Sequence, residues 1–319
     1  MNQSAGRKAM GTTTMSYGDD GGYQERRGLP IGRLIGALVI ALIGIVMYMS
    51  NTQINPVTGK KQHVAMTVDQ EMQLGLQAAP DMANKMGGDV TPAEDPRAAL
   101  VEEVGRRLVR NSDARKSPYV ENFHFHLLRD PKTINAFALP GGQVFITEGL
   151  LNDMQNEAQL AGVLGHEIGH VINRHSAQQM AKGQLGQFLS TAFGVGASGG
   201  DDGGRRAQIA AAMVNQMTQL HFSREDESEA DHYGLQYMAQ AGYDPTAMLD
   251  VMKILKAASK GSHTPEMLAT HPLPETRLEA IRDQLKESYP DGIPSNLTRG
   301  RSLQRSTSSG TGPDDLDMP

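Results

Sequence analysis

The 319-residue chain contains no cysteine and no tryptophan. The lack of cysteine excludes disulfides, thiolate zinc sites, iron–sulfur clusters, a cysteine nucleophile and a lipid-modified N-terminal cysteine. Any metal must therefore be held by histidine and carboxylate side chains. Aromatic residues make up only 5% while methionines number 18, so the core rests on flexible aliphatic packing. A basic excess is also missing: 30 Lys and Arg against 36 Asp and Glu give a net charge of −6. That balance argues against nucleic acid, because neutralising phosphates needs a basic surface. With 39% hydrophobic residues, most of the chain can bury a core.

One long uncharged run is present, Leu34 to Met49 (LIGALVIALIGIVMYM). Extended to 31–50, with Arg33 reaching outward, it is expected to be a transmembrane signal anchor contacting the lipid bilayer. Five basic residues (Arg7, Lys8, Arg26, Arg27, Arg33) precede it and only Lys60 and Lys61 follow closely. The positive-inside rule then puts residues 1–30 in the cytoplasm, as a disordered tail, and the rest outside. This predicts a single-pass protein of the cytoplasmic (inner) membrane with a periplasmic or otherwise extracytoplasmic domain.

Residues 51–64 read as a linker, 65–288 as one domain and 289–319 as a disordered, Ser-, Gly- and Arg-rich tail. Within the domain, Met72, Leu74 and Met82 indicate a helix interrupted at Pro80. Leu100, Val101, Val104, Leu108 and Val109 give 96–110 an amphipathic pattern. Phe123, Phe125 and Leu127 alternate as in a strand, and Gln143–Thr147 (QVFIT) reads as a second. Asn156 with Gln159 forms a capping box for a helix to about Lys182. Gly194–Gly204 is a low-complexity loop, and 208–220 resumes as a Met-rich helix. Ser223 and Asp244-Pro245 mark two further helix starts, and Pro274 opens a last one to about Leu285. The fold class is α+β, mostly helical, with a small sheet.

His166-Glu167-Ile168-Gly169-His170 is the motif HExxH. On a helix, positions i and i+4 project about 40° apart, so both imidazoles reach one metal ion. Glu167 lies on the adjoining flank, where it can act as general base. A third ligand must come from elsewhere. His175 lies five residues on, about 140° round an unbroken helix, and should miss the metal. Glu227 and Asp231 share a helix face at i, i+4. Glu227 can ligate while Asp231 accepts a hydrogen bond from a ligand histidine. The remaining histidines (His63, His124, His126, His175, His221, His232, His263) are read as ordinary surface or core residues.

HExxH followed by ExxAD (Glu227 to Asp231) resembles the M48 family of zinc metallopeptidases, the HExxH/ExxAD gluzincins. NAFALPGGQVFITEGLL from Asn135, NEAQLAGVLGHEIGHV from Asn156 and THPLPETR from Thr270 are similar to family segments in the same order. The likeness is closest to periplasmic and mitochondrial quality-control members, without a helical-repeat domain. The resemblance implies a zincin-like domain with one Zn²⁺ per chain on His166, His170 and Glu227, and cleavage of misfolded or membrane-associated proteins. It implies a place over the zinc for His271, as transition-state stabiliser or as inhibitory fourth ligand. It implies an orienting role for Arg277. It also implies that Gln143, Val144, Phe145, Ile146 and Thr147 form an edge strand to which substrate backbone adds. The alternative reading is a zinc-containing, chaperone-like protein that cleaves little.

Overall fold

Asp95 accepts from the backbone N–H of Arg97, and Pro96 fills the first helical position, so the chain enters a helix over Pro96–Arg110. Comparable local signals set most elements of the computed structural model, which describes residues 31–64, 66–194, 221–260, 265–272 and 275–303. The expected N-terminal tail at 1–30, the glycine-rich loop and Met-rich helix between 195 and 220, and the tail from 304 lie outside the described residues.

In chain order the elements are α1 (Ile31–Ser50), β1 (Thr52–Ile54), β2 (Lys61–His63), α2 (Val68–Lys85), α3 (Pro96–Arg110), β3 (His124–Leu128), β4 (Ala136–Leu139), β5 (Gln143–Thr147), α4 (Glu148–Asn152), α5 (Glu157–Ile172), α6 (His175–Gly194), α7 (Arg224–Gln240), α8 (Ala247–Ala258), α9 (Glu266–Thr270) and α10 (Glu275–Ser288). A short 3₁₀ turn at Asp113–Lys116 follows α3. The architecture is mostly helical with two small sheets. Helix α2 runs through Pro80 without a break. Pro80 is exposed, so the carbonyl it leaves unbonded can meet water.

Helix α5 is the centre of the molecule. All sixteen of its residues are buried, as expected for a helix packed on every side. It is enclosed by α3, α7, α8 and the larger sheet. That sheet has the order β3-β5-β4, with β3 parallel and β4 antiparallel to β5.

Both ends of α5 are closed by segments that the sequence presents as linker and tail. Residues 51–64 are not slack. Thr52–Ile54 and Lys61–His63 form an antiparallel hairpin, turned by Asn55, whose Oδ1 accepts from Val57 and Thr58, and by Gly59 at φ 69°. Asn55 Nδ2 donates to Ile172 O (2.6 Å) and Gln62 Nε2 to Asn173 O (2.8 Å), satisfying carbonyls at the C-terminus of α5. At the other end, Ala158 N donates to Arg299 O, Glu157 N to Arg301 O (3.0 Å each) and Leu303 N to Gln155 O (2.9 Å). Residues 298–303 are thus part of the domain, with Leu303 buried and Thr298 and Ser302 bridged to Tyr243 and Asn156. Strands of three residues and irregular caps carry no hydrophobic period, which is why neither segment stands out in the sequence.

A helix does form over 31–50 and lies along α6. Ile35, Leu38, Val39, Leu42, Ile43 and Val46 are all exposed on it. The expectation of a spanning anchor is corrected: among the described residues no helix is long and apolar enough to cross a membrane. The apolar run Leu34–Met49 rises about 24 Å at 1.5 Å per residue, against a hydrocarbon core of about 30 Å.

Candidate metal centre

Helix α5 carries His166, Glu167 and His170, and α7 carries Glu227 and Asp231; all five are buried. The two helices approach closely because small residues face each other. A Cβ on Gly169 would lie 2.9 Å from Ala230 O, and one on Gly165 3.2 Å from Gly234 O. Larger residues at 165 or 169 would push the two halves of the site apart. His271 follows α9 and Arg277 lies on α10, both buried.

Four side chains converge, His166, His170, Glu227 and His271, with one ligand atom of each within 4.8 Å of the others. His166 Nε2 is 3.1 Å from His170 Nε2 and 3.4 Å from His271 Nδ1. Glu227 Oε1 lies 3.2 Å from His170 Nε2 and 2.9 Å from His271 Nδ1, and Glu227 Oε2 3.6 Å from His166 Nε2. Ligand atoms about 2.0 Å from a tetrahedral zinc stand roughly 3.3 Å apart, so this donor set fits such an ion. The set of two or three imidazoles with one carboxylate is also of the right chemistry. Glu167 stands beside it: its buried Oε1 has no hydrogen-bond partner and lies 3.8 Å from His271 Nε2.

The charges around the donors are ordered by Arg277. Its Nε and Nη2 donate to both oxygens of Asp231 (2.5 and 2.8 Å), and its Nη1 pairs with Glu227 Oε2 at 2.5 Å. Asp231 Oδ1 in turn accepts from His166 Nδ1 at 2.9 Å. Burial alone would raise both carboxyls. Arg277 outweighs it at Asp231, and His271 with Arg277 outweighs it at Glu227, so both sit below the usual carboxylate range, Glu227 well below. Burial pulls the His170 imidazole well below its ordinary value. At His271 burial also pulls downward, but Glu227 and Glu167 overcome it and hold the ring above its ordinary value.

The structure therefore brings together His166, Glu167, His170, Glu227, Asp231, His271 and Arg277. It does not bring Gln143–Thr147 to them as an edge. Strand β5 is the middle strand, hydrogen-bonded on both sides, with all five residues buried. The free edge belongs to β4, and a cleft beside it is lined by Met82, Phe137, Leu139, Phe222 and His271.

Three contacts were not legible from the motifs. Phe222 lays its ring against His170 and His271, with centroids 4.1 and 5.1 Å apart. His175 Nδ1 lies 2.8 Å from His170 Nδ1, and His175 Nε2 3.2 Å from Glu229. The expected single helix to Lys182 breaks after Ile172. Arg174 takes φ 55° while its guanidinium holds buried Glu71, Gln53 and the Met66 carbonyl. The break swings His175 back over His170, where an unbroken helix would have carried it away. Asn173, a good helix-ending residue, was the only local signal.

Residues 95–285 match the profile of "Peptidase family M48". The chain is 31% identical over 283 residues to the "Beta-barrel assembly-enhancing protease" of Escherichia coli (strain K12), covering 86% of this chain and 56% of that protein. It is 34% identical over 233 residues to the "Putative beta-barrel assembly-enhancing protease" of Vibrio cholerae, 70% of this chain and 46% of the relative. It is 30% identical over 256 residues to the "Mitochondrial metalloendopeptidase OMA1" of Schizosaccharomyces pombe, 80% of this chain and 72% of the relative. The chain thus spans about half the length of the bacterial relatives.

Proposed function

Since the chain belongs to peptidase family M48, we propose that it is a zinc-dependent endopeptidase acting on extended, misfolded or membrane-associated polypeptides. His166, His170 and Glu227 would hold the ion. Zinc bound there supplies a Lewis acid that polarises a peptide carbonyl and acidifies water to a pKa of about 7. Glu167 takes the proton of the attacking water and returns it to the leaving amine. Asp231 holds the His166 ring with its Nε2 bare toward the ion, and Arg277 keeps Asp231 and Glu227 ionised. The substrate strand, expected at Gln143–Thr147, is reassigned to the β4 edge, Ala136–Leu139, where backbone addition would lead an extended chain along the cleft to His271. The observation that carries the reading is the meeting of converging donors with the unpartnered carboxylate oxygen of Glu167.

His271 stands at ligand distance from the other three, which favours the fourth-ligand role over transition-state stabilisation in this conformation. That closure also suits the second reading, a chaperone-like protein with a structural zinc. An unpaired buried Glu167 weighs against it, since a structural site has no use for a general base. The test uses the purified full-length protein: about one zinc per chain is expected, with casein cleavage that stops on chelation and returns with zinc. Zinc-replete protein that leaves casein intact would favour the chaperone-like reading. Protein that takes up no zinc would end both.

The exposed apolar side chains of α1 support contact with lipid. The basic residues ahead of α1 suit attachment to the anionic face of a bilayer.

A further inference from the structure

The two histidines of HExxH are supported differently. His166 Nδ1 faces a carboxylate directly, that of Asp231. His170 Nδ1 faces another imidazole, His175 Nδ1, at 2.8 Å. Two ring nitrogens at that distance share one proton, and its owner decides what His170 presents to the ion. If the proton belonged to His175, a neutral His170 would carry its own on Nε2 and turn an N–H toward the other donors.

The far side of His175 fixes where its own proton sits. Its Nε2 lies 3.2 Å from Glu229 Oε2 and 3.9 Å from Asp226 Oδ1. Carboxylates accept, so Nε2 carries a proton. Glu229 is kept an acceptor by the Lys60 ammonium, 2.6 Å from its other oxygen, and Asp226 is engaged by Gln179 and the backbone N–H of Ser223. A ligating His170 needs its Nε2 bare and so carries its proton on Nδ1, which His175, holding its own proton at Nε2, accepts through Nδ1. His170 Nε2 is then left as a lone pair aimed at His166, Glu227 and His271.

The geometry points to His175 and Glu229 as positioning residues for metal binding: a carboxylate that fixes the tautomer and orientation of His170 through an intervening histidine, steadied by Lys60 of the β1–β2 hairpin. The inference rests on the proposed metal role of His170. His175 is fully buried, which keeps water from replacing its link to His170. Outer partners of this kind contribute roughly 10–100-fold to metal affinity.

The test is zinc release from the loaded, full-length protein to a chromogenic chelator, with the visible spectrum of the cobalt-substituted protein as a second readout. His175→Phe and Glu229→Leu are expected to release zinc about 10–100-fold faster and to alter the cobalt bands. Glu229→Gln keeps an acceptor oxygen for His175 Nε2–H and is expected within a few-fold of wild type. Thermal unfolding of the metal-free proteins separates this from general destabilisation. Should His175→Phe fail to fold, the Glu229→Leu and Glu229→Gln pair decides. Wild-type release rates and unchanged cobalt spectra for His175→Phe and Glu229→Leu would overturn the inference while leaving the metal site intact. A wild-type protein that binds no zinc or cobalt would overturn the underlying reading instead.

Discussion

Glu167→Gln is expected to lower casein cleavage by at least about 10²–10⁴-fold while zinc content stays at the wild-type level. The two halves of the expectation have separate causes. Glu167 is not among the four converging donors, so its replacement removes no ligand. Glutamine matches it in size, and the site around it is buried and filled, so the fold has little reason to respond. An amide, however, cannot take a proton from water. The buried Oε1 of Glu167 has no hydrogen-bond partner, so it is free to accept a proton beside the donor group. Zinc-loaded Glu167→Gln protein that cleaves at the wild-type rate would sink the proposed mechanism.

The second large effect is on stability. Arg277→Met is expected to destabilise the metal-free protein by about 3–5 kcal/mol, since it strands buried carboxylates without their cation. Asp231, Glu227 and Arg277 are respectively 3%, 2% and 6% exposed, so water cannot take over. The pH dependence follows from the signs. With Arg277 present both carboxyls lie below their ordinary values. Their contribution is complete above the unfolded carboxylate range near 4 and is lost as pH falls through the lower folded values. Without Arg277, Asp231 loses the main influence opposing burial and its folded value moves up, while Glu227 keeps His271. Asp231 then costs stability at neutral pH, and the cost shrinks as it protonates. Urea unfolding should therefore find a larger deficit at pH 7 than at pH 5. A deficit under about 1 kcal/mol that does not change with pH would mean that the Arg277 cluster carries no net electrostatic stabilisation.

How much of this could be read in the sequence depended on distance along the chain. His166 and His170 are one helical turn apart, as are Glu227 and Asp231, so periodicity alone puts each pair on one face. The meeting of the two pairs depends on the small residues Gly165, Gly169, Ala230 and Gly234, which are informative only once two helices are known to touch. His271 and Arg277 reach the centre from α9 and α10. No local pattern announces that, and only resemblance pointed to them. The strand assignment failed for a related reason: QVFIT reads correctly as a strand, but its place between β3 and β4 is a matter of pairing order. Its unbroken run of buried residues fits a central strand better than an edge. His175 was set aside on ideal helix geometry, and one residue, Arg174 in the left-handed region, invalidated that geometry.

The hairpin between α1 and the domain changes what the protein can reach. A slack linker over residues 51–64 would let the catalytic cleft wander by roughly 20 Å from the end of α1. The hairpin instead bonds to Ile172 and Asn173 at the end of α5, the helix that carries HExxH, and Tyr48 of α1 stacks on its His63 at 4.7 Å. The cleft is therefore held at a set height and bearing relative to α1, and to a bilayer surface if α1 meets one as proposed. Cleavable positions in a substrate would then be sorted by how far they stand from that surface as well as by their side chains, as if by a ruler.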